Sequence, residues 1–184
     1  MKRKVYVVLM AVLFVLGGLT SFALAQDDIQ KHPTCKYCGM DRAKFAHSRV
    51  LIVYEDGTEV GVCSIHCAAL DLALNIDKTP KSIMVGEYDS KKLIDAEKAQ
   101  WVMGGDKMGV MTKRAKWAFE TKEAGDKYID GNGGELVMFD DAMKASFADM
   151  YADTKMIRDK RRMMKAKGVD QKGGEQQEHK EHKM

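Results

Sequence analysis

The chain has 184 residues, of which 45% are hydrophobic and 31% are charged, a composition typical of a globular protein with one domain or two small subdomains. Basic residues exceed acidic residues by only 30 to 27, and Lys2, Arg3 and Lys4 account for the whole excess. Without these three residues the chain is neutral, so its charge gives no support to a nucleic-acid-binding function.

The first 25 residues have the organisation of an export signal. A basic start is followed by an apolar stretch from Val5 to Leu19, and the sequence ALA at 23–25 is the small-x-small pattern that signal peptidases recognise. We predict cleavage before Gln26, which leaves a soluble periplasmic protein. An uncleaved N-terminal membrane anchor is the less favoured alternative, because the apolar stretch is nearly long enough to span a bilayer.

The next part of the chain predicts a ββαβ unit. After a polar, extended lead-in at 26–34, the segment Ser48–Asp56 is rich in β-branched residues and predicts a strand. Asp56-Gly57 is typical of a hairpin turn, so Thr58–Cys63 is the expected returning strand. Ser64 is a candidate N-cap for a helix at Ile65–Asn75. After Pro80 the sequence SIMVGEY predicts the third strand.

The second half predicts the same order of elements. A strand at Ala99–Gly105 leads into a glycine-rich loop, GGDKMGVM, and Ala115–Thr121 is the next strand. The helix KEAGDKYID ends at the turn GNGG, the strand ELVMFD follows, and a last helix begins with Asp140 or Asp141 as its cap.

The predicted fold class is therefore α+β, with two related ββαβ units, a C-terminal helix and a disordered tail. The expected boundaries are 35–98 for the cysteine-containing unit and 99–151 for the second unit. A basic helix is expected at 152–167, and the polar residues 168–184 are expected to be disordered.

The four cysteines form two pairs, C-x2-C at Cys35 and Cys38 and C-x3-C at Cys63 and Cys67. Disulfides are the ordinary expectation for an even number of cysteines in an exported chain. The spacings favour a metal site instead. A C-x2-C disulfide closes only a small loop, and two cysteines one helical turn apart are farther from each other than a relaxed disulfide prefers. Oxidised cysteines remain an alternative.

The cysteines by themselves leave the metal open. Four sulfurs at one point suit a tetrahedral Zn(II) site, whereas Cu(I) accepts two or three soft ligands from thiolate and thioether. Met40 follows the first pair directly and Met111 lies in the glycine-rich loop, so both are candidate thioether ligands. His66 and Met108 are weaker candidates.

Two stretches, CKYCGM and VLIVYEDGTEVGVCSIHC, resemble the NosL family of exported copper-binding accessory proteins. The similarity continues through AQWVMGG, the Gly-x-Met step GVM, and WAFETKEAGDKYIDGNGGELVMFDD, so that it runs from Cys35 to Phe147. The cysteine pairs alone also resemble the small YHS and TRASH metal-binding modules.

The resemblance implies a two-part α+β fold of ββαβ units and delivery of Cu(I) to a copper enzyme, of which nitrous oxide reductase is the familiar example. The motif positions of the family correspond here to Cys35, Cys38, Met40 and Met111. Two features depart from the family pattern. Members are commonly lipoproteins, whereas this chain has no lipidation cysteine, and many members lack a complete second cysteine pair.

Other functions remain open at this point. No catalytic arrangement is evident, so we expect a metallochaperone and not an enzyme, with a copper-receiving enzyme or a metal transporter as its partner. The alternatives are a zinc-stapled structural or interaction module and a periplasmic thiol oxidoreductase that uses Cys35 and Cys38. The stretch Lys155–Lys167 has seven basic residues and one acidic residue and predicts a solvated helix, with contact to anionic lipid or to an acidic partner as the alternative.

Overall fold

A computed structural model describes the backbone of residues 27–181 and the side chains of residues 27–166. The predicted export signal, residues 1–25, lies outside the described residues. Within the described part, no helix is both long enough and apolar enough to span a bilayer.

The first unit is a four-stranded antiparallel sheet with one helix. Its elements are β1 (Val50–Tyr54), β2 (Glu59–Val62), α2 (Ile65–Leu74), β3 (Pro80–Gly86) and β4 (Leu93–Asp95). The strand order is β2-β1-β3-β4, and the short edge strand β4 has no counterpart among the predicted elements. Val50 lies opposite Val62 on one side and Val85 on the other, and all three are buried, so the register points one face of the sheet into the core.

The second unit has the same topology. Its elements are β5 (Gln100–Met108), β6 (Arg114–Phe119), α3 (Lys122–Asn132) and β7 (Glu135–Val137). The strand order β6-β5-β7 repeats the order β2-β1-β3 of the first unit, with the first strand in the centre and antiparallel neighbours on both sides. The prediction of two related ββαβ units in an α+β fold is confirmed.

Tyr88 joins the two units. Its backbone N–H donates to the carbonyl of Ala118 on β6 at 2.9 Å, next to a parallel bridge between Glu87 and Ala118. The Tyr88 ring contacts those of Trp117 and Tyr128, with centroids 5.2 and 4.9 Å apart. Aromatic pairs at these separations contribute about 0.5–1.5 kcal/mol beyond the burial of their area, so Tyr88 holds the two sheets in one continuous core.

The glycine-rich loop is shorter than predicted. β5 does not end at Gly105 but continues to Met108, and its pairing with β6 shifts register between Met103 and Met108. Gly104 and Gly105 have φ values of +85° and +84°, which side chains with a Cβ rarely adopt. The two glycines therefore form a bulge within the strand, where the sequence had indicated the end of it.

Two predictions at helix starts are wrong. The lead-in expected to be extended holds a short helix, α1 (Asp27–Lys31), because Asp28 is buried against two arginines of the first unit. The last helix, α4 (Phe139–Glu181), begins before the predicted caps. Asp140 and Asp141 lie in its first turn instead, where carboxylates stabilise the positive end of the helix dipole.

Helix α4 continues without a break across residues 151 and 167, the predicted limits of the basic helix. The tail that was predicted to be disordered, 168–184, is helical through Glu181 in the structure and lies outside the described residues after it. Its Lys, Glu and Gln residues are good helix formers, whereas Gly168, Gly173 and Gly174 lower the helix propensity of the same stretch.

The carboxylate of Asp28 forms a buried ion triad with two guanidinium groups. Asp28 accepts from Arg42 at 2.8 Å and from Arg49 at 2.9 Å, and all three side chains are buried. Burial raises the pKa of Asp28, but the hydrogen bonds and charges of Arg49 and Arg42 outweigh this effect and hold the pKa below its usual value. Asp28 therefore stabilises the fold at neutral pH, and this contribution is lost as the pH falls through the lowered pKa.

We expect Asp28→Asn to lower the free energy of unfolding by about 3–5 kcal/mol, because it removes the buried carboxylate charge that Arg42 and Arg49 share. Urea denaturation of the reduced protein measures the change. Asp27→Asn is the matched control, since Asp27 is exposed on the same helix, and it should change stability by less than about 0.5 kcal/mol. Equal effects of the two variants would show that the triad does not stabilise the fold.

Candidate metal centre

The fold brings the four cysteines to one point. Their Sγ atoms all lie within 4.8 Å of one another, with Cys38 and Cys63 3.4 Å apart and Cys63 and Cys67 3.8 Å apart. All four are free thiols, so the structure has none of the disulfides considered above. A tetrahedral site with metal–sulfur bonds of about 2.3 Å separates its sulfurs by about 3.8 Å. The cluster therefore already has nearly the size of a four-sulfur metal site.

The first pair lies in a tight turn, residues 35–40, which we call the knuckle. The N–H of Cys35 donates to the carbonyl of Met40 at 2.8 Å, and the N–H of Gly39 donates to the carbonyl of Cys35 at 3.0 Å. Gly39 has a φ of +73°, a conformation that favours glycine, which explains the C-x2-C-G spacing. A bridge between Thr34 and Asp41 closes the base of the knuckle.

The second pair lies where β2 passes into α2. Cys63 follows the last residue of β2, and Cys67 is in the first turn of the helix. Ser64 occupies the predicted N-cap position in an extended conformation, but its side chain makes no capping hydrogen bond. The amides and the dipole at this helix start favour negative charge on the sulfurs. Ser48 fixes the turn, since its hydroxyl donates to the carbonyl of Cys63 at 2.9 Å.

The four thiols do not ionise independently. Hydrogen bonds from the neighbouring thiols, first that of Cys38, hold the pKa of Cys35 below its ordinary value. Hydrogen bonding to Cys35 has the opposite effect on Cys63 and Cys67, and burial raises the pKa of both further. The hydrogen bond to Cys35 raises the pKa of Cys38, but hydrogen bonds from Cys63 and Cys67 outweigh it and leave this pKa below its ordinary value. Thiolates therefore form most readily in the first pair, whereas ionisation of Cys63 and Cys67 requires a cation among the sulfurs.

Asp71 fixes the knuckle against the helix. It lies one helical turn after Cys67 and is fully buried. Its carboxylate accepts hydrogen bonds from Tyr37, from Tyr54 at 2.5 Å and from Lys36 at 3.0 Å. Burial raises the pKa of Asp71, but these three donors outweigh it and keep the pKa below its usual value. Because two of the donors belong to the knuckle, this carboxylate sets the distance between the two cysteine pairs.

Helix α4 reaches the same site from the other end of the chain. The Arg161 guanidinium donates to the carbonyl of Cys38 at 3.1 Å, and the Lys160 ammonium lies 3.5 Å from the sulfur of Met108. Neither Asp71 nor Arg161 was a candidate on sequence grounds. In the sequence, the one sign of a role for Asp71 is that it is the only acidic residue in the largely apolar predicted helix Ile65–Asn75. No feature of the sequence around Arg161 indicates its contact with the knuckle.

The other candidate ligands have different surroundings. Met40 and Met111 are half-buried against the core that contains the cysteines, and Met111 has an unusual left-handed φ of +63°. Met108 is exposed. His66 is buried and faces Asp153 of α4, with its Nδ1 3.6 Å from the carboxylate. Of the predicted ligands, the cysteines are thus brought together as a group, and His66 contacts a different element.

A model of the NosL family matches residues 26–147, well over half of the chain. The chain belongs to the NosL family. The resemblance derived from the cysteine and glycine motifs is thereby confirmed, and with it the expectation that the chain is not an enzyme. The stretch of α4 that contacts the knuckle lies beyond the part that matches NosL.

Among solved structures, the copper chaperone NosL from Shewanella denitrificans is similar to this chain, with 21% sequence identity and a TM-score of 0.48. The similarity covers 58% of this chain and 87% of that one. A comparison with curated proteins finds no significant match.

We expect Tyr37→Phe to increase the rate at which iodoacetamide modifies Cys35 by about fivefold, the factor that corresponds to 1 kcal/mol of local opening. The substitution removes the hydrogen bond between the knuckle and Asp71, and Cys35 is only 2% exposed while that bond holds. Mass spectrometry of the alkylated peptides measures the rate.

Tyr54→Phe is the matched control, because it removes a hydrogen bond to the same carboxylate from β1. Both variants should lose roughly 1–2 kcal/mol of stability, but only Tyr37→Phe should expose Cys35. Equal alkylation rates in the two variants would mean that Asp71 stabilises the unit without positioning the knuckle.

Proposed function

We propose that this chain carries Cu(I) on its four-cysteine cluster and passes it to a copper-receiving protein outside the cytoplasm. The observation that supports this most strongly is the asymmetry of the cluster. Cys35, Cys63 and Cys67 are buried, whereas Cys38 is half-exposed at the surface of the knuckle. The ion would thus be held by buried sulfurs and approached by an incoming ligand from one side.

The donor set supports a soft ion. Thiolates and thioethers favour Cu(I), which is satisfied by two or three such ligands, so four cysteines offer more sulfur than the ion needs. Membership in the NosL family supports copper as the cargo. Met40 and Met111 are proposed as thioether ligands that join the cysteines during uptake or release.

Release proceeds by ligand exchange. An acceptor thiol loses its proton to solvent and forms a copper–sulfur bond as the bond to Cys38 breaks, and the Cys38 sulfur then takes up a proton. Copper remains Cu(I) throughout, so no oxidant or reductant is needed. The hydrogen bonds that Lys36 and Tyr37 donate to Asp71 hold the knuckle in place meanwhile, so that the site stays preorganised for the next ion.

A structural Zn(II) site is the second candidate. The sulfur separations of 3.4 and 3.8 Å are close to those of a tetrahedral zinc–thiolate site, and three of the four cysteines are buried. A thiol oxidoreductase has less support, because Cys35 and Cys38 lie in a turn and not at the start of a helix that would activate them.

The expected location is the periplasm, with the predicted signal removed before Gln26, the residue at which the NosL match begins. The recipient is a copper enzyme or a metal transporter. Nitrous oxide reductase is the recipient that the family resemblance favours.

We expect Cys35→Ser with Cys38→Ser to weaken Cu(I) binding by more than about 100-fold, because loss of mere supporting residues around metal sites already costs 10–100-fold. Competition with a chromophoric Cu(I) chelator, without oxygen, measures the affinity. Ser82→Ala is the control, since Ser82 lies on β3 of the first sheet and in neither cysteine pair, and it should leave the affinity unchanged. Unchanged affinity in the double variant would refute the proposed carrier.

The same samples separate copper from zinc. A carrier should bind about one Cu(I) per chain, should lose any Zn(II) to it, and should remain folded when a chelator removes the ion. Tightly held Zn(II) that Cu(I) does not displace, together with unfolding on chelation, would assign the cluster a structural role.

Met111→Leu should weaken Cu(I) binding by about tenfold, since it removes a thioether and keeps a side chain of similar volume. Met84→Leu, also half-buried but on β3 of the first sheet, is the control and should not change the affinity. The same chelator competition serves as the measurement. A Met111→Leu protein with wild-type affinity would exclude Met111 as a ligand.

A further inference from the structure

Helix α4 carries a row of basic residues along one side between residues 155 and 165. At 100° per residue, five positions fall within an arc of about 120° of the helix circumference. We call this row the basic stripe; it consists of Lys155, Arg158, Arg161, Arg162 and Lys165.

The charges of the basic stripe are nearly unneutralised. Only Arg162 has an acidic neighbour, Asp159, at 3.9 Å. The other four side chains form no salt bridge with any residue that the structure describes. Arg114 and Lys116, by contrast, both bind the carboxylate of Asp149 on the same helix. Like charges along one helix face repel one another. Binding of a negatively charged surface would reduce this repulsion.

The middle of the basic stripe lies beside the cysteine cluster. Arg161 donates to the carbonyl of Cys38, the one cysteine of the four that is not buried. A surface that binds the stripe is therefore brought next to the accessible sulfur of the cluster.

We propose that the basic stripe is the docking surface for an acidic face of the protein that exchanges the metal ion with the cysteine cluster. The exchange part of this inference rests on the proposed carrier function. The stripe lies wholly after residue 147, beyond the match to NosL, so family membership does not assign it.

The structure favours a protein partner over a lipid surface. A helix that binds a membrane needs a broad apolar face to insert. Here Met156 and Ile157 lie away from the stripe and are half-buried, and nearby Asp153 is buried, so this side of α4 already packs on the protein. Along the stripe itself the exposed large apolar side chains are Met163 and Met164, and Phe147 and Tyr151 are exposed in the turns just before it. These four side chains are spread along and around the helix and do not form one broad apolar face.

The test uses two synthetic peptides with the same Cys-x2-Cys acceptor, one flanked by Glu residues and the other by Gln residues. Stopped-flow measurement without oxygen gives the rate of Cu(I) transfer from the loaded full-length protein to each peptide. We expect transfer to the Glu peptide to be about tenfold faster or more at low ionic strength, with the difference disappearing at high salt.

The variant replaces four stripe residues and retains Arg161: Lys155→Gln, Arg158→Gln, Arg162→Gln and Lys165→Gln. It should transfer Cu(I) to both peptides at the same rate while its Cu(I) affinity stays that of the wild type. The control removes the same charge from four exposed lysines on other parts of the chain, and it should keep the preference for the Glu peptide: Lys81→Gln, Lys92→Gln, Lys98→Gln and Lys127→Gln.

Equal rates to the two peptides in the wild type, or the same loss of preference in both variants, would overturn the proposal. So would stripe-dependent binding to phosphatidylglycerol vesicles without any preference for the Glu peptide, since the stripe would then be a lipid-binding surface.

Failure of the carrier function is distinguishable from failure of the docking surface. If the protein holds no Cu(I), fluorescence anisotropy with the metal-free peptides still tests the stripe. Tighter binding of the Glu peptide by the wild type than by the stripe variant would support a docking surface for acidic partners. Equal binding by the two proteins would overturn it.

Discussion

The carboxylate of Asp71 is the constraint on which the arrangement of the four cysteines depends. It receives hydrogen bonds from Lys36 and Tyr37 of the knuckle and from Tyr54 of β1, while its own backbone belongs to α2. The two cysteine pairs are 25 residues apart in sequence between Cys38 and Cys63, and no local rule brings them together. The buried Asp71 carboxylate has all of its hydrogen-bond donors only when the knuckle, β1 and α2 are in place. This requirement fixes the position of the first cysteine pair relative to the second.

A second buried cluster of charges, formed by Asp28, Arg42 and Arg49, connects the segments before and after the knuckle to the first sheet. Arg42 donates to the carbonyls of Asp28, His32, Val50 and Val62, and shares the carboxylate of Asp28 with Arg49. Two guanidinium groups around one carboxylate leave a net positive charge inside the first unit. Together with the start of α2, this charge favours thiolates in the cluster before any metal arrives. Gly61 makes room for it, because a Cβ there would lie 2.8 Å from the Arg42 guanidinium.

Features with local causes could be predicted from the sequence. The hairpin at Asp56-Gly57, the helix after Ser64 and the two cysteine pairs each depend on residues a few positions apart, and all appear in the structure at nearly the expected places. Features that depend on distant partners could not. Asp71 and Arg161 act through contacts 34 and 123 residues away, and the helix at Asp27–Lys31 forms because Asp28 meets Arg42 and Arg49. The bulge at Gly104 and Gly105 was misread because glycine marks both the end of a strand and a bulge within it.

The repetition of the ββαβ topology has a consequence for how a carrier can work. The second unit reaches the same strand order as the first with Trp101 and Phe119 in its core and, within the described residues, no cluster of metal-binding side chains. This arrangement of strands and helix thus forms without a cluster of metal-binding side chains in the second unit as the structure describes it. The first unit also has a hydrophobic core apart from its cysteines, because the valines and Tyr54 of its sheet are buried. On the proposed carrier function, the fold of the first unit does not depend on the ion, and the chain would be emptied and refilled without passing through an unfolded state.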